Sequence, residues 1–144
     1  MAVLGSGSWA CALAAMYALR GYEVNIYDLP EFEKGLTPIR ERGGIEVYGG
    51  EVSGFAQLNK VTTDPEEAVE GVDLIILSAR LQGHVPLLLN CVPYLEKGQT
   101  VAIFTPMFSV FQLLHRLEEK GERIPEGVIL SEVGYTSLLM HANV

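Results

Sequence analysis

Gly5-Ser6-Gly7-Ser8-Trp9-Ala10 lies between a short apolar run, Ala2-Val3-Leu4, and an alanine-rich helical pattern, and Asp28 closes the next apolar run. A strand, a glycine turn and a helix in that order leave few folds open. Glycine has no β-carbon, so backbone amides at such a turn can approach a diphosphate. A helix opening there aims its free N–H groups and the positive end of its dipole at the same point. A Gly-x-Gly-x-x-Ala pattern alone is common. Here it sits between strand and helix, with an acid 23 residues past Gly5 where about 20 is usual, and that context makes it specific. The reading is a dinucleotide site built from Gly5, Ser6, Gly7, Ser8, Trp9 and Ala10, with Asp28 as ribose acceptor.

Periodicity extends this start into a fold. The first helix is predicted from Ser8 to Arg20 with Gly21 as its stop, and Ala10, Ala14 and Ala18 form a flat stripe for packing on a sheet. Further core strands are predicted at Glu23 to Asp28, Lys60 to Thr62, Leu74 to Leu77, Thr100 to Phe104 and Val128 to Leu130. Thr37-Pro38 opens a short helix ending at Gly43-Gly44, and Asp64-Pro65 caps another that stops at Gly71. Two more helices are expected over His84 to Leu95 and Ser109 to Lys120. Gly49-Gly50, flanked by Ile45 to Tyr48 and Glu51 to Ser53, reads as a two-residue hairpin turn. The resulting fold class is α/β: a doubly wound parallel (Rossmann) sheet of six strands with an inserted β-hairpin and no second domain. Residues 1–144 are read as one dinucleotide-binding domain, and the stretch from Gly134 to Val144 has no clear pattern.

Composition narrows the partners. Apolar residues are 49% of the chain, too many for disorder, and a net charge of −8 argues against nucleic acid or an anionic membrane surface. No run approaches the ~18 apolar residues of a membrane span. The apolar stretch from Trp9 to Leu19 follows a strand and a glycine turn and has no basic segment before it, so it is not read as a signal peptide. Cys11 and Cys91 form no Cys-x-x-Cys pair and are read as reduced, semi-buried thiols, and the expected location is cytoplasmic.

Asp28, followed by Leu29 and Pro30, is placed to accept hydrogen bonds from both adenosine ribose hydroxyls and to repel a 2′-phosphate, so NAD is favoured over NADP. Lys34 and Arg40 keep NADP open. Ligands of open α/β sheets lie at the carboxyl ends of the strands. Ser78-Ala79-Arg80, Thr105-Pro106 and Glu132 follow the other strands and are expected to line the cofactor path, with Arg80 near a phosphate or a substrate carboxylate. Trp9 either shields the diphosphate or packs against another domain. His84, just past the fourth core strand, is a candidate substrate contact; His115 reads as solvated, and His141 is uninformative. No metal-ligand spacing occurs, and no convincing general acid is visible, although hydride transfer to an imine or ketone needs a proton donor.

The glycine turn, the Gly43-Gly44-Ile45 hairpin entry, Val61-Thr62-Thr63-Asp64 with Glu67-Ala68-Val69, and Gly71-Val72-Asp73-Leu74-Ile75-Ile76 resemble the N-terminal domain of the octopine/nopaline (opine) dehydrogenases. His84, Pro93-Tyr94-Leu95 with Gly98-Gln99, Pro106 and Glu132 extend the likeness. NAD-dependent glycerol-3-phosphate dehydrogenases and ketopantoate reductases are relatives of that family. The resemblance implies cofactor binding by Gly5, Gly7, Ala10 and Asp28. It also implies reductive condensation of an amino acid with a 2-oxo acid. Both substrates would need a helical C-terminal domain, which carries the family's catalytic histidine and has no counterpart in these residues. Arg80 stands where the family has a proline or small residue. No lysine follows the fifth core strand, as one does in glycerol-phosphate dehydrogenases. The alternative is a stand-alone, non-catalytic NAD-binding or redox-sensing module acting through a partner; a homodimer is compatible with either. A methyltransferase using S-adenosylmethionine shares the glycine turn but normally has an acid just before it, where this chain has Val3-Leu4.

Overall fold

Residues 1–49, 52–105 and 107–134 are described by a computed structural model. Strand β1 (Ala2–Leu4) leads through the glycine turn into helix α1 (Ser8–Leu19), and β2 (Asn25–Tyr27) comes next. A 3-10 turn at Pro30–Phe32 runs into α2 (Glu33–Arg42), then come the hairpin strands β3 (Gly44–Val47) and β4 (Gly54–Gln57). The chain continues through β5 (Lys60–Thr62), α3 (Pro65–Val69), β6 (Leu74–Leu77), α4 (Leu81–Cys91), β7 (Thr100–Phe104), α5 (Ser109–Lys120) and β8 (Ile129–Val133).

The main sheet is parallel throughout, in the order β5-β2-β1-β6-β7-β8, so the predicted doubly wound Rossmann sheet is present. Its register positions the turn residues. Leu4 pairs with Tyr27 on one side and Leu77 on the other, so Gly5, Asp28 and Ser78 emerge side by side from one edge. The chain winds outward in opposite directions from β1, and a crevice opens where the two directions part.

Alternate strand residues feed two cores. Ala2, Leu4, Ile75, Leu77, Val101 and Ile103 pack against α3, α4 and α5 through residues such as Val69, Leu88, Leu113 and Leu117. Val3 and Ile26 face α1 and α2, and Ile45, Val47 and Ala56 of the hairpin close the same cluster. Helix α1 is therefore covered by the sheet on one side and the hairpin on the other, and Ala10 through Met16 are all buried. Its small residues let both layers approach, which extends the expected alanine stripe to almost the whole helix surface.

Gln99 locks α3 to the sheet edge. It is buried, its Nε2 donates to the carbonyls of Val69 (2.7 Å) and Val72 (2.9 Å), and its Oε1 accepts from the Glu96 N–H at 2.9 Å. Gln99→Ala orphans all three groups, so a loss of about 2–3 kcal/mol is expected in urea unfolding. An unchanged midpoint would show that water can take over those bonds.

Four sequence expectations shift. The hairpin pairs Val47 with Gly54 and Ile45 with Ala56, so its second arm is Gly54–Gln57 in place of Glu51 to Ser53. Burying Ala56 against α1 favours this register. Helix α2 begins at Glu33 and carries Pro38 inside it, because Leu36 and Ile39 are both drawn into the core. Helix α4 begins at Leu81, directly after Arg80, and β8 extends to Val133, which places Glu132 within the strand. Gly50 and Glu51, on which the predicted two-residue turn falls, lie outside the described residues, as do Pro106, His141 and the rest of 135–144.

Candidate dinucleotide-binding site

At the carboxyl edge of β1, β2 and β6 lie two adjoining clefts of about 550 and 480 Å³. Each falls in the roughly 300–1,000 Å³ range of small-molecule sites. They share Gly7, Ala79 and Arg80 and so form two halves of one path. Gly5, Ser6, Asp28, Leu29, Glu31, Phe32, Gly83 and Pro86 line the first half, beside β2. The second half, toward β7, is lined by Ser8, Trp9, Leu13, Ser78, Phe104 and Thr105.

The two glycines of the turn do different things. Gly5 has φ +114°, and a β-carbon there would run into the carbonyl oxygen of Ser78. Its missing side chain lets β1 and β6 close together at their ends. Gly7 has ordinary extended geometry (φ −70°, ψ 166°), yet no atom lies within 4 Å of where its β-carbon would stand. That open space lies at the cap position of α1 and borders both halves of the cleft. No side chain caps this helix, and its first backbone bond runs from the Cys11 N–H to the Gly7 carbonyl. Ser8, Trp9 and Ala10 thus have N–H groups with no partner one turn back. This donor set fits a diphosphate. Arg80, the cation at the junction of both halves, is exposed beside it.

Asp28 is 7% exposed and already well bonded. Its Oδ2 accepts from the Ser6 N–H (2.7 Å) and the Ser6 hydroxyl (2.6 Å), and its Oδ1 accepts from the Leu29 N–H at 2.8 Å. An ionised carboxylate offers about four acceptor positions, so the expectation that Asp28 is free for two ribose hydroxyls needs refinement. The basic residues that kept NADP open do not line the cleft. Arg40 is held by the Val61 carbonyl (3.0 Å) and Glu33 (3.1 Å), and Lys34 is exposed on α2.

Other predicted residues sort clearly. Gly5, Ser6, Gly7, Asp28, Ala79 and Arg80 meet in the first half, and Gly7, Ser8, Trp9, Ser78, Ala79, Arg80 and Thr105 in the second. Ala10 is buried in α1 and lines neither. Glu132 also lines neither: its Oε1 accepts from the Val110 N–H at 2.9 Å, capping the first turn of α5 from the neighbouring strand. His84 is fully buried, with Nε2 3.0 Å from the Ala79 carbonyl and Nδ1 2.8 Å from the Ser109 hydroxyl. A carbonyl only accepts, so Nε2 carries a proton, while Nδ1 and the Ser109 hydroxyl share the second bond. This imidazole ties the α4 entrance to α5 and is closed to a substrate. His115 is exposed beside Glu119, as anticipated.

Phe32, Gly83, Pro86 and Leu87 were not anticipated as cleft residues. The available signal was the start of a helix immediately after Arg80, which Gly83 concealed.

Cys11 and Cys91 are free and fully buried. Burial pushes both thiols up to about 12, with the Asp28 charge adding to the effect on Cys11. Since the folded chain holds these protons more tightly than the unfolded one, their contribution to stability is complete below the ordinary thiol value of 9.0. It declines as pH rises from there toward 12. Thermal unfolding should therefore show a falling midpoint above about pH 9 that Cys11→Ala/Cys91→Ala reduces, and iodoacetamide should leave the folded chain unlabelled at pH 8. Among the described residues no cluster could hold a metal ion, and no helix is long and apolar enough to cross a membrane.

Comparison with known proteins agrees with this geometry. Over 102 residues the chain is 30% identical to the opine dehydrogenase of Arthrobacter sp. (strain 1C), covering 71% of this chain and 28% of that protein. It is 34% identical over 104 residues to a glycerol-3-phosphate dehydrogenase [NAD(P)+] of Moorella thermoacetica, covering 70% and 29%. The chain thus spans less than a third of the length of these curated relatives. Among solved structures, octopine dehydrogenase with NADH and pyruvate superposes with TM-score 0.71 at 22% identity, over 90% of this chain and 34% of that one. A PanE/ApbA family ketopantoate reductase from Ralstonia eutropha gives 0.66 at 20%, over 92% and 40%. Residues 1–131 match the family described as NAD-dependent glycerol-3-phosphate dehydrogenase N-terminus. The chain belongs to that family of NAD-binding domains.

Proposed function

We propose that this chain is the cofactor domain of an opine-dehydrogenase-type oxidoreductase acting on a CH–NH bond. In this reading it holds NADH across the two halves of the cleft for reduction of an imine formed from an amino acid and a 2-oxo acid. NADH supplies the hydride when bound. The chain's own residues bind and orient it: α1 N–H groups and Arg80 take the diphosphate, Asp28 the adenosine ribose, and Trp9, Ser78, Phe104 and Thr105 border the nicotinamide. The observation carrying this reading is the open cradle at Gly7, at the mouth of α1 and beside Asp28.

Among the described residues, the nicotinamide half is lined by no carboxylate, imidazole or amine, and His84 is buried elsewhere. That supports a proton donor supplied by residues beyond the described ones. Exposed Met107, Phe108 and Phe111, at 60%, 69% and 70%, support a surface that a further domain covers better than they support a stand-alone module. Calorimetric titration should give saturable NADH binding, with NADPH much weaker, and the chain alone should not oxidise NADH with pyruvate and an amino acid. Rapid turnover by this polypeptide would overturn the division of labour, and absence of NADH binding would overturn the reading itself.

A further inference from the structure

We infer that Ser6 is a specificity-determining residue, limiting Asp28 to one adenosine hydroxyl where an unencumbered aspartate would take two; this rests on the dinucleotide reading above. Three of the roughly four acceptor positions of Asp28 are filled by protein donors, two on Oδ2 from Ser6 and one on Oδ1 from Leu29. The backbone donors of Ser6 and Leu29 are fixed by the turn and by the end of β2. The hydroxyl of Ser6 is the one donor that belongs to a side chain. At 2.6 Å it is a charge-assisted bond with its hydrogen on the carboxylate. Asp28 is 7% exposed and lines the adenosine half of the cleft.

The second half of the device lies on α2. A β-carbon at Gly35 would stand 2.8 Å from Ser6 Oγ. Glycine weakens a helix interior, and at this position it leaves the hydroxyl room to stay on Asp28. Ser6 and Asp28 both line the adenosine half of the cleft, whereas Gly35 does not. Gly35 therefore acts on the ligand only through Ser6.

Ser6→Ala frees one carboxylate position for the second ribose hydroxyl. NADH affinity should rise roughly tenfold, the size of one charge-assisted bond, while NADPH, repelled by the same charge, should not gain. Deoxy analogues of NADH read the hydroxyl count directly. With the natural chain, removing one of the two adenosine hydroxyls weakens binding and removing the other does not; with Ser6→Ala, removing either weakens it. Gly35→Ala crowds the hydroxyl and should move affinity in the same direction, with no further effect in the Ser6→Ala background. The inference fails if the natural chain already loses affinity with both deoxy analogues, or if Ser6→Ala leaves NADH binding unchanged or weaker. If the natural chain binds no NADH at all, the dinucleotide reading fails too, which separates the two cases.

Discussion

Gly5→Ala and Gly7→Val should both abolish NADH binding, but only the first should also destabilise the chain, by about 3 kcal/mol. At Gly5 a side chain meets two penalties at once. Its φ of +114° lies where L-residues rarely go, and its β-carbon would collide with the Ser78 carbonyl at the end of β6. The Ser78 N–H bonds the Leu4 carbonyl at 2.9 Å and the Gly5 N–H bonds the Tyr27 carbonyl at 2.7 Å. Moving this residue therefore strains three strands where the cleft opens. At Gly7 the backbone is relaxed and the surroundings are empty, so valine fits the protein and fills the space a diphosphate would use. Its unfolding free energy should stay within about 1 kcal/mol of the parent, while NADH affinity falls at least about a hundredfold. Urea unfolding and calorimetric titration measure the two quantities separately. A Gly7→Val chain that still binds NADH would place the diphosphate elsewhere.

Asp28→Ala should reduce stability and cofactor affinity together. Three donors converge on this carboxylate, and two are backbone N–H groups that cannot turn to another partner. Their loss is expected to cost about 2–4 kcal/mol. Affinity for NADH should drop at least about tenfold, and the preference over NADPH should narrow, since the repelling charge is gone. Asp28→Asn keeps an acceptor for Leu29 and should lie between the two in stability. If NADPH remained as disfavoured in Asp28→Ala as in the parent, another group would be reading the 2′ position.

The order of elements was legible because it rests on near neighbours in the chain. Leu74 to Leu77 is apolar without interruption, Asp64 and Pro65 carry the chemistry of a helix start, and both lie where expected. In the structure the Asp64 carboxylate accepts from the N–H groups of Glu66 and Glu67, a bond between residues two and three apart. The doubly wound class followed from the same local pattern, because parallel strands joined by helices have few ways to wind; the strand order itself is seen in the structure.

Where an expectation moved, a distant partner moved it. Glu132 looked like a crevice residue until α5 came within reach of its carboxylate, and His84 until Ser109 and the Ala79 carbonyl enclosed it. Pro38 read as a helix start, yet Leu36 and Ile39 had a core to enter that no window of sequence contains.

Sequence alone settled which residues would form a strand, a glycine turn and a helix, because backbone preference and hydrophobic period act within a few residues. Only folding decided that Gly5 serves the strand packing while Gly7 leaves open space at the mouth of α1, and that Ser6 reaches Asp28 across 22 positions of chain. Those roles depend on what stands a few ångströms away in space, and the register of β1 between β2 and β6 sets that distance.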